Sequence, residues 1–347
     1  MRILIAEDDE ALAKFVRQGL EAENYSVDVL ADGEQARTAA TDVDYDVVIL
    51  DLNLPKLDGV SVLRHLRLKK PSLPVLVLTQ RNKVEDRIQC LDTGADDYVP
   101  KHMSAASLDI FHIREDLIAK VRAAALSRRP LLPPSGKKAP VWSSRERGVL
   151  PATPAIVAVG ASTGGPRALQ EVLPLLPRDL EVPVLIVQHM PAGFTAPFAQ
   201  RLNALCRVKV REAVDKDLIE PGLVYVAPAG LHMTVQSTGD SNACIRLESR
   251  PADHLHIPSV DILMKSVARS FGNRAMGVIL TGMGSDGAEG MKAIFREGGL
   301  TIGQDEATCA VYGMPRACAE LGVLSLVVPL SQVPAQILEA TRYRRPA

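Results

Sequence analysis

The sequence predicts an α/β protein made of two doubly wound parallel-sheet domains, the second carrying a β-hairpin. Three observations lead there. Short β-rich runs alternate with helical stretches in both halves of the chain, a basic segment rich in proline separates the halves, and acids or glycine-rich turns follow the apolar runs directly. A length of 347 residues accommodates two domains, each with its own core. Apolar content of 47% with 23% charged residues is that of an ordinary soluble globular protein. Forty Lys and Arg against 41 Asp and Glu leave a net charge of -1, so no global basic field invites nucleic acid. Five cysteines, Cys90, Cys206, Cys244, Cys309 and Cys318, are scattered without a C-x-x-C pair, which argues against a zinc ribbon or a disulfide framework. No apolar run approaches ~18 residues, and Met1-Arg2 leads straight into a strand rather than a signal peptide. The expectation is a monomer in a reducing cytoplasm, with no membrane insertion.

The first domain is expected over residues 1–125. Its β-rich runs fall at 3–6, 27–30, 47–50, 75–78 and 97–99, and the third and fourth are continuously apolar, as strands covered on both faces should be. A linker is expected over 126–152, where Arg128-Arg129-Pro130 and Pro133-Pro134-Ser135-Gly136-Lys137-Lys138 combine proline, glycine and charge. Chemistry in open α/β sheets sits at the carboxyl ends of the strands. Glu7, Asp8 and Asp9 follow the first run, Asp51 the third, Thr79 the fourth and Lys101 the fifth. Gathered carboxylates are costly unless a divalent cation joins them, and hard oxygen ligands suit Mg²⁺. A lysine and a hydroxyl across from them can hold the oxygens of a phosphoryl group transferred to a carboxylate. Solvated turn acids would explain any one of these positions, but not the whole series.

The second domain is expected over 153–347. Its runs fall at 155–159, 182–187, 223–226 and 275–280, and 233–237 and 243–249 flank Thr238-Gly239-Asp240-Ser241-Asn242 as a hairpin. After the first run comes Gly160-Ala161-Ser162-Thr163-Gly164-Gly165-Pro166. A Gly-x-Ser-x-Gly turn between strand and helix exposes the serine beside backbone donors, as a nucleophile requires. A phosphate loop or a plain βα turn fits the same residues. Of seven histidines, His65, His102 and His112 lie in the first half. His189 directly follows the run 182–187, on the same rim as Ser162, and is either a general base or a structural histidine. Asp253-His254-Leu255-His256 lacks further metal ligands and reads as a surface or substrate-facing loop. His232, after a turn, has no assigned role. Asp286, in Thr281-Gly282-Met283-Gly284-Ser285-Asp286-Gly287, is either the acid that orients His189 or the N-cap of a helix starting at 288.

Two resemblances add to these readings. The segments Ile3-Leu4-Ile5-Ala6-Glu7-Asp8-Asp9-Glu10, Asp51-Leu52-Asn53-Leu54-Pro55-Lys56-Leu57-Asp58-Gly59, Leu78-Thr79 and Gly94-Ala95-Asp96-Asp97-Tyr98-Val99-Pro100-Lys101 resemble the flavodoxin-like receiver domain of bacterial response regulators. That resemblance implies a histidine kinase as phosphodonor and Asp51 as the phosphorylated residue. It implies Mg²⁺ held by Glu7, Asp8, Asp51 and the Asn53 carbonyl, phosphoryl contacts from Thr79 and Lys101, and Tyr98 as the aromatic that moves on activation. Lys101-His102 departs from the family's usual Lys-Pro.

From about 153 to 330, Val159-Gly160-Ala161-Ser162-Thr163-Gly164-Gly165-Pro166, Gln188-His189-Met190-Pro191, Pro258-Ser259-Val260-Asp261, Thr281-Gly282-Met283-Gly284, Asp286-Gly287 and Gly313-Met314-Pro315-Arg316 resemble the CheB family of chemotaxis protein-glutamate methylesterases. The resemblance implies Ser162, His189 and Asp286 as a catalytic triad and the Met283 N–H as oxyanion donor, with Thr163 lining the site. It also implies methyl-accepting chemoreceptors as substrates, deamidation of receptor glutamines, and no cofactor for the esterase. Control by a receiver that covers the Ser162 rim until Asp51 is phosphorylated is the expected coupling. A nucleotide-binding reading, with Glu181 at the ribose, gives His189 and Asp286 no role, and a DNA-binding response regulator lacks a basic recognition helix.

Overall fold

A computed structural model describes residues 1–71, 73–79, 93–101, 117, 118, 120, 121, 152–190, 193–239, 242–251 and 256–341. The chain divides into two compact units, Met1–Arg129 and Pro130–Ala347.

The first unit contains β1 (Arg2–Ala6), α1 (Glu10–Glu21), β2 (Ser26–Leu30), α2 (Gly33–Asp42), β3 (Val47–Asp51), α3 (Gly59–Lys69), β4 (Val75–Thr79) and β5 (Asp97–Pro100). The strands form one sheet in the order β2-β1-β3-β4-β5, with every neighbour parallel. All five expected strands are present, each within a residue or so of its expected bounds. Every residue of β3 is buried, as the aliphatic run Val47-Val48-Ile49-Leu50 before Asp51 requires of a strand covered on both faces. The helices begin where short acids supply caps: Asp9 accepts from the N–H groups of Ala11 and Leu12, Asp32 from Gln35 and Asp58 from Ser61. Asp9, the acid beside Asp8, is thereby occupied as a helix cap.

The second unit contains β6 (Ile156–Ala161), α4 (Gly165–Val172), β7 (Val184–Gln188), α5 (Thr195–Leu205), β8 (Lys209–Glu212), β9 (Leu223–Val226), β10 (His232–Gly239), β11 (Asn242–Glu248), α6 (Val260–Phe271), β12 (Ala275–Ile279), α7 (Ala288–Arg296), β13 (Leu300–Gln304), α8 (Met314–Glu320), β14 (Leu326–Val328) and α9 (Val333–Ala340). Seven strands form a parallel sheet in the order β14-β13-β12-β6-β7-β9-β8, and β10 and β11 pair as an antiparallel hairpin. The four expected sheet strands and the hairpin are present, the hairpin with a tighter connection than expected. Strands β8, β13 and β14 are additional. β8 and β13 mix polar residues or glycine into short runs and β14 is only three residues long, which weakens the periodic signal, and pairing with neighbouring strands supplies what the local sequence lacks. The core gathers Ile156, Ala158, Leu185 and Val187 from the central strands with Val260, Leu263, Met264 and Val267 of α6 and Met233, Val235 and Ile245 of the hairpin. This packing presses α6 against the sheet, and its N-terminus ends beside the carboxyl ends of β6 and β12.

Candidate functional site

In the first unit, β1 and β3 flank the point where strand order reverses, the usual place for a ligand in such sheets. Glu7 follows β1 and Asp51 ends β3. Together with Asp8 they offer carboxylate oxygens within 4.8 Å of one another, a spacing suited to one metal ion. Lys101 Nζ donates to Glu7 Oε1 at 2.7 Å and to Asp51 Oδ2 at 2.8 Å, with all three side chains buried. Asp51 Oδ1 accepts from the N–H groups of Leu52, at 2.6 Å, and Asn53, at 3.3 Å. Burial is the largest influence on Glu7; with the Asp51 charge it outweighs the lowering effect of Lys101 and pushes the carboxyl up to about 6. Burial lowers Lys101, yet its bonds to Asp51 and Glu7 prevail and raise it. Glu7 Oε2 is buried and lies 2.6 Å from the same Lys101 Nζ, within the ion pair but without hydrogen-bond geometry among the described residues. The three gathered carboxylates of Glu7, Asp8 and Asp51 form a hard-oxygen donor set that fits Mg²⁺. The Thr79 backbone ends β4 opposite Pro100, and Tyr98 pairs with Val77 in β5. His102, the departure from Lys-Pro, lies outside the described residues.

In the second unit the reversal falls between β6 and β12, and Ser162 follows β6 there. Register pairs Ala161 of β6 with Gln188 of β7, so Ser162 and His189 leave adjacent strands at the same level. Two backbone bonds hold that level: His189 N–H donates to the Ala161 carbonyl, and Ser162 N–H to the Thr281 carbonyl, each at 3.1 Å. Thr281-Gly282-Met283 follows β12 on the other side. Gly282 lies so close that a Cβ there would come within 2.9 Å of Ser162 Cβ and 2.2 Å of Met314 Sδ. Gly164 adopts a φ of 77° where a Cβ would meet Ala310, so a glycine is required for the turn into α4. Thr163 is buried, and its carbonyl accepts from Thr281 Oγ1 at 3.0 Å. Met283 is half-buried on the rim.

His189 Nε2 lies 2.9 Å from Asp286 Oδ2. Asp286 also accepts from Ser259 Oγ (2.9 Å), Val260 N–H (2.7 Å) and Asp261 N–H (3.0 Å), at the N-terminus of α6. Burial alone would raise its carboxyl, but the bonds from His189, Asp261 and Val260 outweigh burial and hold it well below the usual carboxylate range. An ionised acceptor at Nε2 makes that nitrogen the donor and leaves the lone pair of a neutral imidazole on Nδ1. Nδ1 is buried and has no hydrogen-bond partner among the described residues, so its lone pair is open on the rim.

Asp286 is therefore not the N-cap of its own following helix. Gly287 occupies that position in α7 without a side-chain cap. Asp261 instead accepts from the α7 N–H groups of Gly287 at 3.0 Å and Gly290 at 2.7 Å. The two acids cap each other's helices, because α6 and α7 bring their N-termini together. Asp261 was visible only as part of a motif.

Two further residues were missed. His256 is half-buried, and its ring stacks on His189 with centroids 4.2 Å apart and planes 22° from parallel. Burial, then the neighbouring His189, push it down to about 4 against the opposing pull of Asp286. Its i, i+2 pairing with His254, which lies outside the described residues, pointed to a loop and away from this contact. Gln188, the last residue of β7, is 1% exposed and bonds the carbonyls of both Ser162 and His189. A buried polar residue ending an aliphatic strand was the available signal. His232 is fully buried: Ser259 N–H donates to its Nδ1 at 3.1 Å, so Nε2 donates to the Pro251 carbonyl at 3.0 Å, which fixes the loop that carries Ser259.

Comparisons with known proteins agree with this architecture. The CheB methylesterase family model matches residues 157–337, and the response regulator receiver domain model matches 3–110. A protein-glutamate methylesterase/protein-glutamine glutaminase of Oleidesulfovibrio alaskensis is 36% identical over 98% of this chain and 99% of its own length. The corresponding protein of Caldanaerobacter subterraneus is 38% identical over 96% and 94%. The crystal structure of the Thermotoga maritima CheB methylesterase catalytic domain superposes with a TM-score of 0.52 at 36% identity, covering 54% of this chain and 99% of that one. A receiver unit ahead of a catalytic unit, with sequence kinship along nearly the whole length, makes this chain a member of the CheB methylesterase family.

Proposed function

We propose that the chain is a phosphorylation-regulated hydrolase that removes methyl esters from glutamate residues of methyl-accepting chemoreceptors and deamidates receptor glutamines. Residues 1–125 are the receiver, 126–152 the linker and 153–347 the catalytic domain. Ser162 Oγ attacks the γ-carbonyl carbon of the methylated glutamate while His189 Nδ1 takes the hydroxyl proton. Asp286 stabilises the imidazolium and keeps the ring oriented. The Met283 N–H donates to the oxyanion, Thr163 lines the site, and collapse of the tetrahedral adduct expels methanol, protonated by His189. Water, deprotonated by the same nitrogen, then attacks the acyl-serine and frees the glutamate carboxylate and Ser162. A glutamine follows the same course with ammonia leaving.

In the receiver, the Asp51 carboxylate attacks the phosphorus of a phosphohistidine on the partner kinase, and the imidazole leaves. Lys101 and Thr79 receive the phosphoryl oxygens, and Tyr98 changes position on activation. Glu7, Asp8, Asp51 and the Asn53 carbonyl would hold Mg²⁺, which when bound neutralises the charge gathered on the phosphoryl oxygens. The esterase steps call for acid–base groups alone. No helix among the described residues is long and apolar enough to cross a membrane, and we place the enzyme in the cytoplasm as a monomer.

The observation that carries this reading is the half-buried His189–Asp286 pair, with the second imidazole nitrogen unclaimed among the described residues on the rim that bears Ser162. Ser162→Ala should abolish methanol release from methylated receptor membranes. Near-normal turnover by that variant would refute the nucleophile assignment.

A further inference from the structure

Gln188 is the one polar side chain of β7, after four aliphatic residues, and it is almost completely buried. Its Nε2 donates to the Ser162 carbonyl at 2.9 Å and to the His189 carbonyl at 3.0 Å. Both contacts are acceptors, so the amide nitrogen faces them, and its two protons are both used. The amide oxygen lies on the other side, buried and without a hydrogen-bond partner among the described residues. It sits against Gly165, the first residue of α4, where a Cβ would come within 2.0 Å of it. The fold thus tolerates an unmatched buried acceptor and requires a glycine beside it in order to keep this amide in place. The return is a bridge between two strand ends. The Ser162 carbonyl already accepts from Gly165 N–H at 2.8 Å, so the second donor ties the serine turn to the strand that carries the base.

We propose that Gln188 is a positioning residue for the reaction, a clamp that sets the separation and orientation of Ser162 and His189 by holding both backbones. The proposal rests on the reading of Ser162 as nucleophile. Nucleophile and base must meet within a few tenths of an ångström, and a displacement of about 1 Å costs on the order of 100-fold. Gln188 touches no reacting atom, so its loss should act on turnover and leave substrate binding alone.

The test uses the full-length chain and methylated receptor membranes. Gln188→Met keeps the shape and removes both donors; kcat should fall about 10- to 100-fold with KM unchanged. Gln188→Glu places a carboxylate against two carbonyl oxygens, and protonation restores one donor. The ratio of its rate to that of the unmodified enzyme should therefore climb as pH is lowered from about 8 to about 6. A role confined to filling space would give a ratio that does not vary with pH, accompanied by a lowered melting temperature. Ser162→Ala is assayed alongside. Turnover by Ser162→Ala would mean that the serine reading has failed, and the clamp with it. An inactive Ser162→Ala beside a Gln188→Met of normal kcat, or a flat Gln188→Glu ratio, would overturn the clamp alone. Should Gln188→Met not fold, the Gln188→Glu ratio decides.

Discussion

A carboxylate that accepts from an imidazole, a hydroxyl and two backbone N–H groups is committed to its negative charge, and Asp286 is in that position. Asn at 286 would keep the volume but present an amide to donors that need acceptors, and would no longer hold His189 with Nδ1 free. Asp286→Asn should lower kcat by about 10³–10⁴-fold, the scale on which triad acids act, measured as methanol release from protein shown to be folded by circular dichroism. His256 supplies a second residue-level prediction. Its folded value of about 4 lies below the ordinary 6.5, so the unfolded chain binds the proton more readily. The stability tied to the neutral ring is fully present above pH 6.5 and is lost as pH falls through 4. His256→Phe retains a flat ring against His189 and removes that proton. Its unfolding free energy, from urea titrations across this window, should decline less steeply with acid than that of the unmodified protein. Equal slopes would show that His256 is not held neutral.

At the scale of elements, the candidate site depends on two helix N-termini that exchange caps. Asp286 serves α6 and Asp261 serves α7, so the acid that orients His189 is part of the joint between these helices. Burial pushes the Asp261 carboxyl up, and the nearby Asp286 charge adds to this against the bonds from Gly290 and Gly287. Asp261→Ala leaves two buried N–H groups without partners and should destabilise the protein by about 1–2 kcal/mol, with a fall in kcat as the 286 loop loosens. Asp261→Asn retains an acceptor oxygen and should lose less on both counts. Urea denaturation together with steady-state rates would separate the two variants, and matching losses would show that the reciprocal cap is not the source of the effect.

At the scale of the molecule, each of the two sheets gathers its candidate site residues at its own point of strand reversal. Replacing Asp51 by Asn keeps the side-chain volume and one of its two acceptor oxygens but removes the phosphorylatable carboxylate. Asp51→Asn should keep basal methylesterase activity and lose stimulation by acetyl phosphate. Stimulation equal to that of the unmodified chain would refute Asp51 as the regulatory site.

Both sheets, their central strands and the residues at the strand ends could be read from the chain. Buried parallel strands need unbroken β-branched runs, and ligand groups must follow them directly. Ser162, His189, Asp51 and Lys101 were placed at the sheet rims in this way, because that placement depends only on position along a strand. Strands β8, β13 and β14 were not legible, since their runs are very short or interrupted by polar residues and glycine, and pairing with neighbouring strands compensates. Nor were the roles of His256, Asp261 and Gln188, nor the helix that Asp286 caps. Each of these depends on groups distant in sequence: residue 286 meets 189 and 260, and residue 188 meets 162. Local periodicity records which face of an element is buried, but it holds no information on which other element comes to cover that face. The packing of α6 against α7 and of β6 against β7 supplied those partners, and with them the charge on Asp286 and the free nitrogen of His189.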